Sequence, residues 1–90
     1  MYLVNIKVKD NVEGNIADRM VQHRDWIKSI IKNNQLFTAG AYVDQDRAGM
    51  VLLDVDTKAA AENIIANDTF YPNEATYEIN QLQVNFKPNN

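Results

Sequence analysis

Histidine is the side chain whose ordinary pKa best suits proton transfer near neutral pH, and this sequence holds one, His23. Among the carboxylates, Asp68 stands apart. It follows a predicted helix, and a negative charge at a helix C-terminus opposes the macrodipole, so local stability does not explain it. If the two predicted helices lie side by side, His23 and Asp68 meet at the edge of the helix–sheet layer. Asp68 would then hold the imidazole in one tautomer and raise its basicity, as carboxylates do in acid–base dyads. Spacing allows this contact without establishing it. The plain alternative is a core histidine and a solvated loop aspartate.

Composition removes most other chemistries. With no cysteine, the chain has no disulfide, thiol nucleophile, zinc–thiolate site or iron–sulfur cluster. One histidine excludes a multi-histidine metal site within one chain. Asp44, Asp46, Asp54 and Asp56 lack the ligand order and terminal Glu of a calcium loop, so no metal is expected. Three isolated glycines form neither a phosphate loop nor a dinucleotide fingerprint, and no cofactor is expected. The net charge of -3 argues against nucleic acid or an anionic membrane as partner. Gly40 is a candidate point of close approach for a ligand or a neighbouring strand, with an ordinary strand glycine at a bend as the alternative. Trp26, Tyr42 and Phe70 are candidate pocket-lining aromatics, with core packing as the alternative for each.

The elements that must hold these residues are legible as periods. Tyr2, Val4, Ile6 and Val8 alternate with Leu3, Asn5, Lys7 and Lys9, a half-buried strand. From Asn15, a plausible N-cap, the period lengthens. Ile16, Met20, His23, Ile27, Ile30 and Ile31 form one helical stripe, with Asp18, Arg19, Asp25, Lys28 and Lys32 around the rest. Asn33-Asn34 ends that helix. Leu36 to Val43 reads as a second strand, with Leu36, Thr38, Gly40 and Tyr42 on one face and Phe37, Ala39, Ala41 and Val43 on the other. A polar hairpin loop from Asp44 to Gly49 leads to a third strand, Met50 to Val55. Asp56-Thr57 opens a second helix, with Ala60, Ile64 and Ile65 inward, and Asp68 lies just past its end. A last strand runs from Thr76 to Phe86. Its apolar positions shift from odd (Tyr77, Ile79) to even (Leu82, Val84, Phe86), which predicts a bulge near Asn80-Gln81.

The order β-α-β-β-α-β is that of a ferredoxin-like fold, an α+β domain over residues 1–90 with two helices on one face of a four-stranded antiparallel sheet. Two helices cover only one face. Apolar residues on both faces of the second and third strands therefore call for a partner, most simply a second copy, giving a homodimeric α+β barrel. No membrane span or secretory signal is visible, so a cytoplasmic protein is expected.

The spans His23-Arg24-Asp25-Trp26, Leu36-Phe37-Thr38-Ala39-Gly40, Asn67-Asp68-Thr69-Phe70 and Tyr77-Glu78-Ile79 together resemble the YciI-like (YCII-related) family over nearly the whole chain. The resemblance implies a dimeric α+β barrel, related in architecture to muconolactone isomerases, and a His–Asp active site carried onto His23 and Asp68. One branch of that family eliminates chloride from a chlorinated hydroxyquinone. The chain departs from the family pattern at Met20, where an Arg is frequent, at Thr69, where a Pro follows the Asp, and at Asn33-Asn34-Gln35, where a Gly precedes the second strand. The leading expectation is a lyase or isomerase acting on a small, cyclic or aromatic organic molecule. The alternatives are a non-catalytic dimeric module that binds a small ligand, and a monooxygenase of the same barrel architecture.

Overall fold

The computed structural model describes residues 1–88. Its elements are β1 (Tyr2–Val8), α1 (Ile16–Lys32), β2 (Leu36–Ala41), β3 (Ala48–Leu53), α2 (Lys58–Ile65) and β4 (Ala75–Gln81). The strands form one sheet in the order β2-β3-β1-β4, with every neighbouring pair antiparallel. This is the ferredoxin-like arrangement read from the order of elements. No helix among the described residues is long and apolar enough to cross a membrane.

Each helix starts where a side chain replaces a missing helical partner. The Asn15 carboxamide oxygen accepts from the backbone N–H of Ala17 and Asp18 at 2.9 and 3.2 Å. The Thr57 hydroxyl accepts from Ala60 N–H at 3.1 Å. Both satisfy donors that the first helical turn would otherwise leave unpaired. Both helices then pack on the face of the sheet that carries Tyr2, Val4, Ile6 and Val8, where Trp26 and Ile30 of α1 and Ala61 and Ile65 of α2 join one core. Phe70, from the loop after α2, is wholly enclosed in it. Each such side chain is worth about 1.5–3 kcal/mol of burial.

The inward face of α1 differs from the predicted stripe. Trp26 is buried, whereas Ile31 is 56% exposed and Ile16 lies at the margin. The indole decides the rotation, because its N–H donates to the Ile64 carbonyl in the last turn of α2 at 2.9 Å. A large ring that also satisfies a helix-end carbonyl outcompetes a second isoleucine for the inward position. The same rotation turns Arg19 inward, away from the solvated side expected for it.

β2 and β4 are shorter than the apolar runs, β3 begins two residues before the predicted Met50 and ends two before Val55, and the bulge lies elsewhere. The irregularity is in β2, where Leu36 and Thr38 pair with successive residues Leu53 and Leu52. Leu36 thereby joins Ala39 on the helix-covered side, and Phe37, at the bulge, is half exposed. At Asn80-Gln81 there is no bulge. Tyr2 pairs with Gln81, Leu82 N–H donates to the Met1 carbonyl, and the partner strand then runs out. The segment beyond, with Phe86 94% exposed, leaves the sheet rather than changing phase within it.

On the face opposite the helices, β1 and β3 bring together Leu3, Met50 and the buried Leu52, flanked by Asn5, Lys7, Thr38, Glu78 and Asn80. The Tyr42 hydroxyl donates to the Asn5 side-chain oxygen on that side. This face is more polar than the doubly apolar strands predicted, because the bulge moves Leu36 away from it.

Close approach occurs at Gly49 rather than Gly40. A Cβ on Gly49 would lie 2.5 Å from the Gly40 carbonyl oxygen and 3.2 Å from the Ala41 Cα, whereas one on Gly40 meets nothing. Both obstacles at Gly49 are backbone, so β2 would have to move. Gly49→Ala is expected to cost about 1–3 kcal/mol and Gly40→Ala less than about 0.5 kcal/mol. Urea unfolding of the two variants checks this.

Candidate active site

The site is assembled from the middle of α1 and the loop that follows α2. His23 Nδ1 lies 2.7 Å from Asp68 Oδ1, and the Tyr77 hydroxyl donates to Asp68 Oδ2 at 2.6 Å. Asp68 has no exposed side-chain surface, while the His23 side chain keeps 12% of its own. A buried carboxylate loses its hydration and requires donors in compensation; here each oxygen has one. Tyr77 can only donate to a carboxylate, and the second oxygen is likewise an acceptor for the imidazole. The network therefore places a ring proton on Nδ1, so that in the neutral imidazole the lone pair is on Nε2. Nε2 has no hydrogen-bond partner among the described residues, and no buried side-chain polar atom there is unsatisfied, so Nε2 keeps contact with the outside.

Two aromatic rings fix the imidazole plane. Trp26 and Phe70 lie with their ring centroids 5.4 and 5.6 Å from that of His23. Both are buried in the core, and neither lines a cavity beside His23. That corrects their assignment as pocket-lining residues: their faces are used up in packing against the ring from behind. Gly40 and Tyr42 line a cavity together with His23. It holds about 410 Å³ between α1 and the β2–β3 end of the sheet, a size common for small-ligand sites. Its floor is apolar, with Ile6, Val8 and Val51 from the sheet and Met20 and Ile27 from the helix.

The loop carrying Asp68 is tied down from both sides. Asp68 N–H donates to the Ile65 carbonyl, and Tyr71 N–H to the Asp68 carbonyl. One helical turn before His23, the Arg19 guanidinium donates to the Thr69 carbonyl and to Glu74 Oε1, both at 2.7 Å, and to the Glu13 carbonyl at 2.8 Å. Its Nε donates to the Thr69 hydroxyl, which donates in turn to Gln22 Oε1. Its plane also lies over Phe70, 5.1 Å from the ring centre. Arg19 and His23 are thus an i, i+4 pair reaching the same loop. The hydrogen bond to Glu74 raises the Arg19 pKa further, and the same bond holds the Glu74 carboxyl below its ordinary value.

Sequence reasoning missed Arg19 and Tyr77 as parts of this site. A signal existed for each. Tyr77 alternates with Ile79 on the helix-facing side, where a buried phenol needs a partner. Arg19 sits four residues before His23. Among the described residues, no three His, Asp or Glu side chains gather into a metal-binding set. The chain matches no protein-family model and no curated protein.

Burial first, and the hydrogen bond to Asp68 second, push the Tyr77 hydroxyl well above the ordinary phenol range. A phenol that keeps its proton in the folded state stabilises the fold fully below the unfolded value of about 10, and this contribution declines as pH rises beyond it. Tyr77→Phe is therefore expected to lower stability at neutral pH by about 1.5–3 kcal/mol, through loss of a donor to a carboxylate. It should also flatten the alkaline decline. Urea unfolding across the alkaline range, in wild type and variant, measures both; an equal decline in the two proteins would refute the assignment.

Proposed function

We propose that this chain is a cofactor-independent acid–base catalyst of lyase or isomerase type, acting on a small, cyclic or aromatic organic molecule with an acidic C–H bond. The observation that carries this is the division of labour on one imidazole. Nδ1 is committed to a buried carboxylate, while Nε2 is left without a partner on a side chain that lines an apolar cavity. The resemblance to YciI-like proteins points the same way.

In the proposed reaction, Nε2 takes a proton from carbon, and the electron pair passes into the adjoining carbonyl as an enolate. The imidazolium formed is stabilised by Asp68, itself held by Tyr77. In an isomerisation, the Nε2 proton returns to a different carbon as the enolate collapses. In an elimination, the electron pair forms a carbon–carbon double bond, the leaving group departs with its bonding pair, and Nε2 releases its proton to water. Neither route needs an oxidant or a reductant.

Proton–deuterium exchange at carbon tests this without knowledge of the final product. With a panel of cyclic ketones and hydroxyquinones in deuterated water, the wild type is expected to exchange at least one member. His23→Gln should slow that exchange by about 10²–10⁴-fold while keeping the fold. Asp68→Asn should slow it too, because an amide cannot accept from both His23 and Tyr77. Panel members that bind to wild type and His23→Gln alike, with no exchange by either, would identify a ligand-binding module instead.

The proposal includes a two-fold dimer through the sheet face opposite the helices, argued from the two helices lying on one face only and from the half-buried Leu3 and Met50 on the other, where Leu52 is already buried. Sedimentation equilibrium is expected to give twice the chain mass for the wild type and a shift toward monomer for Leu3→Lys. A wild-type monomer would refute the dimer.

A further inference from the structure

The charge of the cavity wall is opposite in sign to that of the molecule. Acidic side chains outnumber basic ones, 12 to 9. Yet the residues around the cavity include Arg24 and Arg47, together with His23, and no Asp or Glu. The Asp68 carboxylate is shut behind the imidazole and does not reach the wall.

The arginines of this chain differ in what neutralises them. Arg19 is bound to Glu74 at 2.7 Å. Arg47 meets Asp10 at 3.0 Å, but the Asp10 side chain is fully exposed, so that pair is screened by solvent. Arg24 forms no ion pair and no hydrogen bond with any described residue. Arg24 and His23 both line the cavity, so a group held by the guanidinium shares that space with the imidazole. Arg47 lies across the cavity in the loop before β3, with a left-handed backbone at φ 49 that few residues other than glycine adopt.

Resting acid–base chemistry in this site also asks for a cation. With His23 neutral, the dyad carries the buried negative charge of Asp68. Taking a proton from carbon makes the imidazole a cation balanced by Asp68 and leaves the new negative charge on the substrate. A guanidinium on the cavity wall offsets negative charge on a ligand held there, and a planar fork of N–H donors matches a carboxylate.

We propose that the ligand of this cavity is a small organic carboxylate, its anionic group held by Arg24, with Arg47 adding positive charge from the opposite wall. Its apolar body lies over Met20, Ile27 and Val51. This deepens the acid–base function proposed above and rests on it for the role of Nε2, but the anion site itself is separable from catalysis.

Nitrogen-detected NMR separates the two. Benzoate and phenylacetate serve as probes, with benzamide and methyl benzoate as neutral counterparts of the same shape. Up to about 10 mM, where even a millimolar site is nearly filled, the carboxylates are expected to shift the Arg24 Nε resonance and the neutral compounds are not. Arg24→Gln should weaken carboxylate binding about ten- to a hundredfold, as befits one charge-assisted pair. Arg24→Lys should recover part of that loss. His23→Gln should leave carboxylate binding in place. In the same spectra the imidazole nitrogens report the Nδ1–H tautomer on which the acid–base function depends. No response of Arg24 to either carboxylate, equal binding of benzamide, or full binding by Arg24→Gln would overturn the anion site. A wrong tautomer alongside normal carboxylate binding would overturn the catalytic function alone.

Discussion

A carboxylate with no contact with water is tolerable only where hydrogen-bond donors replace its hydration, and Asp68 is buried with two of them. That requirement organises the surroundings. His23 comes from α1, Tyr77 from β4, and Asp68 from the loop between α2 and β4. Three separate stretches of chain are therefore fixed against one another at a single anion. Removing either donor leaves the carboxylate partly unsatisfied in a low-dielectric setting, which costs more than the bond itself.

The remaining contacts protect this arrangement. Arg19 holds the Thr69 carbonyl and Glu74, so the loop cannot swing outward and carry Asp68 with it. Thr69 contributes through its hydroxyl, which accepts from Arg19 and donates to Gln22; a proline there would offer neither. Trp26 and Phe70 exclude water from the rear of the imidazole and are themselves anchored, Trp26 through the Ile64 carbonyl. The consequence is directional. One nitrogen of the ring is held by a fixed acceptor and the other has no partner among the described residues, on a side chain that lines an apolar cavity with arginines on its wall. The same packing that stabilises the core sets which nitrogen can do chemistry.

The uncovered sheet face follows from a different constraint. Helices α1 and α2 supply enough surface for one side of the sheet only. The bulge in β2 then shifts Leu36 to the covered side, leaving a small apolar group on β1 and β3 framed by polar residues.

Much of the fold was legible in the sequence because strand and helix periods differ and each is enforced by burial on one face. The change from alternation at Tyr2–Val8 to the longer repeat after Asn15, and the N-caps Asn15 and Thr57, determined the order of elements and through it the ferredoxin-like topology. The one histidine and the unfavourable place of Asp68 at a helix end marked the two residues that the structure joins. What only the tertiary structure decided was anything set by competition between distant groups. The rotation of α1 depended on the Ile64 carbonyl for Trp26, so Ile31 faced outward and Arg19 inward. The extent of β4 depended on where β1 begins. Tyr77 and Arg19 entered the site because a buried charge takes whatever donors the packed chain brings within reach, and no local pattern records which those will be.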